Sequence, residues 1–223
     1  MPIITFTRLF GAGGADVAAR TAALLGWTLL DDALADAVAR RLGLTIDEVR
    51  AREERSPSLA SRVGEALALS APEVRAVAGE FVTPPVDRML DIARRVMEDV
   101  AAKGPTVIVG RGAAAVFAGR DDAIHVFCYA PRAALVARVV ARSGISVADA
   151  ERRIDDTNKQ REQIMQRVYH RDWRAIEHYH MCLNTEWLGL EGAAQTVARA
   201  ARDKFPEASP SRLTPAYTRR ITE

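Results

Sequence analysis

Glycines and charged side chains are concentrated near the amino terminus, in the stretch TRLFGAGGADVAAR from Thr7 to Arg20. The stretch follows the β-branched run IITF and leads into an alanine-rich pattern of helical period, which predicts a strand, a tight turn and a helix. Glycines in such a turn let backbone N–H groups approach a ligand, and the amino end of a helix carries about half a positive charge. The arrangement is therefore suited to binding a phosphate.

The stretch departs at three positions from the usual phosphate-binding loop, whose pattern is G-x-x-x-x-G-K-[ST]. Arg8 stands in place of the first glycine, Gly14 in place of the lysine, and Ala15 in place of the hydroxyl. Arg8 could supply the missing charge from the other side of the loop, and Asp16 could bind a metal ion directly or through water. The alternative is an ordinary glycine-rich turn in which the helix dipole favours Asp16.

Five short apolar runs alternate with helical patterns along the chain, and they are the elements that must position this loop. The predicted strands are residues 3–7, 27–30, 106–110, 124–130 and 181–185. The predicted helices are residues 15–25, 33–42, 45–54, 87–103, 131–143, 146 to beyond 161, and 190–205. Such alternation implies a parallel sheet covered on both faces, with the ligand at the carboxyl ends of the strands. The glycine loop, Asp31 and the GRG turn around Arg111 all follow strands and so meet there.

Length and charge limit the function further. The 223 residues fit one medium domain, and 48% hydrophobic with 27% charged residues are typical of a soluble globular protein. A net charge of +2 is too small to argue for nucleic acid or a membrane surface. Because no apolar run approaches about 18 residues and no signal peptide is recognisable, we expect a cytoplasmic protein without nucleic-acid or membrane partners.

Several motifs resemble those of known kinases. The segment VGRGAAAVFAGRDDAIHVFCYAP is similar to the G-R-D-I-G-T element, phenylalanine turn, strand and proline-opened helix of bacterial cytidylate kinases. The start TFTRLFGAGG resembles more closely the cytidylate kinase-like family, whose pattern I-T-x-S-R-x-F-G-S-G-G also lacks the lysine. The later pieces NKQR, YHRDW and YHMCLNT look similar as well. The resemblance covers about residues 3–201.

This resemblance implies an α/β P-loop NTPase fold of the nucleoside-monophosphate-kinase type, with a five-stranded parallel sheet and helices on both faces. It implies one domain over residues 1–205, in which about 45–85 form an acceptor-binding insert and about 146–175 a lid. Residues 206–223 are expected to be a flexible tail. The implied activity is ATP- and Mg²⁺-dependent phosphoryl transfer to a nucleoside monophosphate, a chemistry that needs mainly positioning and charge neutralisation.

The resemblance also assigns roles to single residues. Arg8 and the loop would bind the donor phosphates; the loop residues are Gly11, Ala12, Gly13, Gly14, Ala15 and Asp16. Arg8, Asp16 and Arg161 would be catalytic, the first by charge, the second by holding the metal and the third from the lid. Asp31 and Arg111 would contact the acceptor, since a guanidinium binds phosphate in a bidentate way. Structural alternatives stay open: Arg111 paired with Asp31 or Asp32, Asp31 and Asp32 as helix caps, and Arg161 as a surface residue.

The acceptor side departs from the family pattern. Gly112 replaces the aspartate of G-R-D, Ala114 and Ala115 replace the glycine and threonine that follow, and Asn158 and His180 replace acids. These changes leave two alternatives to a nucleotide kinase: a nucleotide-binding regulatory or interaction module that has lost transfer activity, and a kinase of another small acceptor. The sequence leaves open whether the chain forms a homodimer.

Overall fold

The computed structural model describes residues 1–31 and 86–208. The predicted helices between residues 33 and 54, the proposed acceptor insert and almost all of the predicted tail lie outside the described residues. The strands and helices below are numbered within the described part of the chain.

Five strands form one sheet. They are β1 (Ile3–Arg8), β2 (Thr28–Leu30), β3 (Thr106–Val109), β4 (Ala123–Tyr129) and β5 (Met181–Asn184). Their order is β2-β3-β1-β4-β5, and every neighbouring pair is parallel. The central strands β1, β3 and β4 are almost wholly buried, which matches their β-branched and aromatic composition. The predicted five-stranded parallel sheet is confirmed, with strand ends shifted by about one residue.

The described residues also form six α-helices, which flank the sheet. They are α1 (Gly14–Leu25), α2 (Val86–Lys103), α3 (Ala113–Val116), α4 (Arg132–Ser143), α5 (Val147–Tyr169) and α6 (Gly189–Lys204). The long α5 begins where Ser146 caps it, by accepting a hydrogen bond from the backbone N–H of Asp149 at 3.1 Å. The short α3 is not predicted, because four residues are too few to show a helical period. None of the helices in the described residues is long and apolar enough to cross a membrane.

The sheet separates two hydrophobic cores. Side chains of one face of β1, including Ile4 and Phe6, pack with α1, α4, α5 and α6. The opposite face, represented by Ile3 and Ile108, packs against α2 and α3. Since α1 follows β1 on one face while α3 follows β3 on the other, the connections of two adjacent strands leave the sheet in opposite directions. Such a switch point forms a crevice at the carboxyl ends of β1 and β3.

A histidine pair joins β4 to the start of β5. His125 is 3% exposed, its Nδ1 lies 2.8 Å from Oγ1 of Thr5, and its ring stacks on that of His180 with centroids 5.1 Å apart. The backbone N–H of His125 donates to Nδ1 of His180 at 2.9 Å. Burial, together with the electrostatic influence of His180 and Arg171, lowers the pKa of His125 to about 4.

His125 is expected to make the fold less stable in acid. Its pKa is depressed on folding, so the unfolded chain binds more protons between about pH 6.5 and pH 4, and stability falls as the pH falls through that window. We expect a loss of about 2 kcal/mol between pH 7 and pH 4, with allowance for solvent screening. Urea unfolding across this range measures it; a His125→Gln variant with the same pH slope as the wild type would contradict this assignment.

Candidate functional site

The glycine loop connects β1 to α1 in an unusual backbone conformation. Gly11 and Gly13 have φ of 84° and 70°, in the left-handed region that glycine tolerates. Gly13 is also the residue that caps the amino end of α1, and the helix begins at Gly14. The first N–H groups of any helix have no carbonyl partner within it. Donors and a positive helix end therefore lie together at this loop, as phosphate binding requires.

The loop is held to the protein from several sides. The N–H of Leu9 donates to the carbonyl of Cys128 on β4 at 3.0 Å. From the other side, Oγ1 of Thr185 donates to the carbonyl of Ala12 at 2.7 Å, and Nη1 of Arg138 approaches the same carbonyl at 3.4 Å. Arg138 also pairs with Glu186 at 2.6 Å, which makes it part of the scaffold under the loop. These contacts support the shape of the loop from both sides.

Arg8 runs across the crevice from the end of β1. A Cβ atom on Gly14 would lie 2.6 Å from Cβ and 3.0 Å from Cγ of Arg8, so the stem of Arg8 passes directly over Gly14. A Cβ on Gly110, just after β3, would overlap Nη1 of Arg8 and lie 3.0 Å from its Cζ. The guanidinium therefore reaches the β3 side of the crevice, and the space next to position 14 is taken by Arg8.

Helix α5 covers the start of the loop. Oδ1 of the buried Asn158 accepts the backbone N–H of Phe10 at 2.9 Å, and Nη1 of Arg161 donates to the carbonyl of Arg8 at 2.7 Å. Arg153 and Arg161 both lie over the Phe10 ring, at 5.4 Å and 5.9 Å from its centroid. Arg161 thus contacts the loop, which excludes the alternative of an ordinary surface residue.

The charge of Arg161 is affected by its position at this loop. Burial and the nearby charge of Arg8 lower the pKa of Arg161 to about 9. A guanidinium whose pKa is depressed in this way favours an anion beside it. An anion bound beside Arg161 would raise the pKa of Arg161 toward its ordinary value.

The GRG turn after β3 is strained. Gly110, Arg111 and Gly112 have φ of 72°, 50° and 72°, and among the described residues only Arg111 and His170 are non-glycine residues with positive φ. Nη1 of Arg111 donates to the backbone carbonyl of Asp31 at 3.0 Å. A side chain in the left-handed region costs free energy, of order 1 kcal/mol, and such strain is concentrated at functional sites. The acceptor of this hydrogen bond is the backbone carbonyl of Asp31 and not its side-chain carboxylate.

Tyr169, the last residue of α5, packs against this turn. A Cβ on Gly112 would lie 2.5 Å from Cζ and 2.7 Å from the hydroxyl oxygen of Tyr169. The hydroxyl also donates a long hydrogen bond, 3.5 Å, to the carbonyl of Arg111. Burial raises the pKa of Tyr169, so the phenol stays protonated. The Tyr169 ring therefore occupies the space in which a side chain at position 112 would lie.

Gly112→Ala is expected to destabilise the protein by about 1–3 kcal/mol, because the new Cβ meets the Tyr169 ring and the positive φ adds strain. The free energy of unfolding in urea measures the effect. Gly104→Ala is the matched control, since a Cβ there meets no atom within 4 Å, and its change should stay within about 0.5 kcal/mol. Equal effects of the two substitutions would mean that Tyr169 yields freely to a side chain at position 112.

Asp16 lies exposed in the first turn of α1. No group of three or more His, Cys, Asp or Glu side chains in the described residues could hold a metal ion. Mg²⁺ in nucleotide sites usually keeps several waters and takes one or two carboxylates plus phosphate oxygens. A single carboxylate at Asp16 fits that kind of metal, carried largely by the nucleotide, and does not fit a metal bound by the protein alone.

All the predicted site residues lie in the part of the chain that the structure describes. Arg8 and the glycine loop are at the carboxyl end of β1, Asp31 follows β2 and Arg111 follows β3, while Arg161 reaches the loop from α5. Arg8, the glycine loop and Arg161 contact one another directly, while Arg111 and Asp31 form a second group on the β3 side. Sequence reasoning missed three residues at these groups: Arg138 and Thr185 under the loop, and Tyr169 on the turn. Tyr169 and Thr185 belong to the motifs YHRDW and YHMCLNT, but all three residues contact groups far away along the chain, so the motifs alone do not assign them to the site. The catalytic and binding roles of the predicted residues stay predictions.

Known proteins support this fold. The cytidylate kinase-like family matches residues 3–187. An uncharacterized protein from Eubacterium ventriosum ATCC 27560 has 18% identity and a TM-score of 0.65, over 90% of this chain and 98% of that one. Shikimate kinase from Acinetobacter baumannii, solved in complex with shikimate, has 18% identity and a TM-score of 0.50, over 92% of this chain and 95% of that one. No curated protein matches this chain in sequence. The predicted P-loop kinase fold of the nucleoside-monophosphate-kinase type is confirmed.

Proposed function

This chain belongs to the cytidylate kinase-like family, and we propose that it is an ATP- and Mg²⁺-dependent phosphotransferase acting on a nucleoside monophosphate or a similar small acceptor. The observation that carries the proposal is the path of Arg8. Its side chain extends from the glycine loop, where a donor phosphate would bind, to the GRG turn, where an acceptor would bind. Phosphoryl transfer is favoured by a positive charge placed between the donor and the acceptor phosphates.

The donor side is formed by the loop and its two arginines. Backbone N–H groups of the loop and the amino end of α1 would bind the β- and γ-phosphates of ATP. Arg8 and Arg161 would neutralise the charge that grows on the transferring group, a role that lysine plays in the usual loop. The guanidinium of Arg161 has five N–H donors and spends one on the Arg8 carbonyl, so donors remain for a phosphate.

The acceptor side requires no base if the acceptor is a phosphate ester. An ionised phosphate oxygen of the acceptor attacks the γ-phosphorus, the bond from that phosphorus to the β–γ bridging oxygen breaks, and ADP keeps the electron pair. Arg111 would bind the acceptor phosphate and bring its oxygen in line. Asp16 would hold Mg²⁺, which supplies charge neutralisation on the donor phosphates when bound.

Measurement of ADP formation tests the proposal. The full chain is incubated with ATP, Mg²⁺ and each member of a panel of nucleoside monophosphates and small hydroxy-carboxylates. We expect turnover with one acceptor class well above ATP hydrolysis without acceptor. No turnover above that background with any acceptor would refute the proposal.

A second candidate is a nucleotide-binding module without transfer activity. It is favoured by Ala15, which offers no hydroxyl to a metal, and by Asn158, whose oxygen is occupied by the Phe10 N–H. Calorimetry separates the two candidates, since tight ATP binding without ADP formation supports the module.

A further inference from the structure

The peptide unit between Ala12 and Gly13 lies within the glycine loop, and its orientation decides which backbone group the loop presents to a ligand. The bond is trans and planar, so the carbonyl of Ala12 and the N–H of Gly13 point in opposite directions. Glycines stand on both sides of Ala12, and both have positive φ. Because glycine tolerates either orientation of a neighbouring peptide unit, the loop sequence alone does not fix this one.

Thr185, directly after β5, holds the Ala12 carbonyl. The residue is fully buried, and its Oγ1 lies 2.7 Å from the carbonyl oxygen of Ala12 and 3.3 Å from that of Tyr129. Nη1 of Arg138 donates to the same hydroxyl at 3.0 Å. Since a guanidinium has no acceptor, the hydroxyl accepts this bond and keeps its own proton for a carbonyl. The shorter distance directs that proton to Ala12.

The sheet and Arg138 together fix the position of Thr185. The backbone N–H of Thr185 donates to the carbonyl of Tyr129 at 2.9 Å, which continues the pairing of β5 with β4. Nη2 of Arg138 donates to the Thr185 carbonyl at 3.1 Å and to Glu186 at 2.6 Å. Arg138 on α4 therefore contacts both the hydroxyl and the carbonyl of Thr185. A hydroxyl held in this way has little freedom to turn away from Ala12.

The N–H of Gly13 points away from Thr185, because the Ala12 carbonyl points toward it. Gly13 is half-buried, and its N–H makes no hydrogen bond to another residue in the described part of the chain. Gly13 also caps the amino end of α1, so this N–H adds to the positive end of the helix. A phosphate oxygen is the kind of acceptor that such an N–H binds.

We propose that Thr185 is a positioning residue of the donor site. Its hydroxyl holds the Ala12 carbonyl on the inner side of the loop, so that the Gly13 N–H faces a phosphate of the nucleotide, and Arg138 secures that hydroxyl. The proposal rests on the proposed function, which assigns the loop to the donor phosphates. It adds to the donor site a side chain that does not touch the ligand and that follows an edge strand of the sheet.

The test is binding of pyrophosphate to the full chain, measured by calorimetry. Pyrophosphate has the linked phosphates of a nucleotide without its base, so contacts of the base do not affect the result. Thr185→Val removes the hydroxyl at nearly equal volume, and Thr185→Ser restores it. The matched control is Thr21→Val on α1. Thr21 is equally buried, and its hydroxyl also donates to a backbone carbonyl, that of Val17 at 2.8 Å.

We expect the Kd of pyrophosphate to rise about tenfold in Thr185→Val, as for the loss of one hydrogen bond to a charged group. It should change less than about twofold in Thr185→Ser and in Thr21→Val. Urea unfolding of the two valine variants shows whether they lose similar stability, which by itself would not separate their affinities. An equal Kd in Thr185→Val and Thr21→Val, or no binding of pyrophosphate to the wild type, would overturn the proposal.

A second variant keeps the test decisive if Thr185→Val does not fold. Arg138→Gln removes the donor that secures the hydroxyl, and we expect it to raise the Kd of pyrophosphate at least about threefold. Arg142→Gln is its control, since it removes the same charge from an exposed position on the same helix. Equal effects of these two substitutions would contradict the assigned role of Arg138 and Thr185.

Steady-state ADP formation separates this proposal from the proposed function. A positioning role raises the KM for ATP in Thr185→Val and leaves the KM for the acceptor unchanged, whereas a general loss of structure alters both. If the wild type turns over an acceptor and Thr185→Val keeps the KM for ATP, the role of Thr185 is refuted and the phosphotransferase stands. If no acceptor is turned over but pyrophosphate binding depends on Thr185, that role stands and the phosphotransferase is refuted.

Discussion

Arg8→Ala is expected to lower kcat/KM for ATP about a hundredfold to a thousandfold. Loss of one preorganised positive group at a transferring phosphate costs about this much. In this loop no lysine can compensate, because Gly14 occupies the lysine position. Steady-state kinetics with the best acceptor measures the effect, and calorimetry with ATP shows how much of it is lost binding.

Arg20→Ala is the matched control for this substitution. Arg20 is also near the amino terminus, but it lies on the surface of α1 and pairs with Glu191 at 2.8 Å, with about half of its side chain exposed. A surface pair of this kind contributes little to stability or function. If the two variants lose activity to the same extent, Arg8 has no special role at the phosphates and the proposed donor site is wrong.

Exchange of two residues is expected to restore the usual phosphate-binding loop. Gly14→Lys alone should destabilise the protein by about 1–3 kcal/mol and weaken ATP binding, because its Cβ would lie 2.6 Å from Cβ of Arg8. Arg8→Gly removes that obstacle, and the backbone of Gly14 is already helical. The double variant Arg8→Gly/Gly14→Lys should therefore regain the stability and the ATP affinity that each single variant loses.

A double-mutant cycle provides the measurement, with urea unfolding and calorimetry on all four proteins. We expect a favourable coupling energy of at least about 1 kcal/mol between the two positions. Strictly additive effects would mean that Arg8 and a lysine at position 14 do not compete for the same space. Gly13→Lys serves as the contrast, because a side chain there meets Leu190 and not Arg8.

Much of the fold could be predicted because its signals are local. The glycine loop after β1 and the cap of Ser146 on α5 are each decided by a few consecutive residues. The parallel sheet followed from the alternation of strands and helices. The contact of Arg8 with Gly110 could not be predicted in the same way. It depends on two strands about a hundred residues apart that lie side by side.

The departures from the family motifs were the hardest features to interpret from sequence. Gly14 and Gly112 looked like losses of a lysine and an aspartate. In the structure the space beside each glycine is filled, at Gly14 by Arg8 and at Gly112 by Tyr169. In both cases the side chain that fills the space belongs to another element of the fold. The sequence around the glycine therefore gives no sign of it, and only the packing in the structure shows it. Asn158 is similar, since its amide oxygen caps the Phe10 N–H of a distant loop.

The crowding of Arg8 against Gly14 also limits the order in which such a loop can have evolved. A loop with glycine at position 8 and lysine at position 14 can reach the present pair by two single replacements. If arginine came first, the intermediate would carry both long side chains, and their Cβ atoms would lie 2.6 Å apart. If glycine replaced the lysine first, the intermediate would be unstrained and would lack only a charge. A route that loses the lysine first, by way of a loop with glycine at both positions, avoids this crowding.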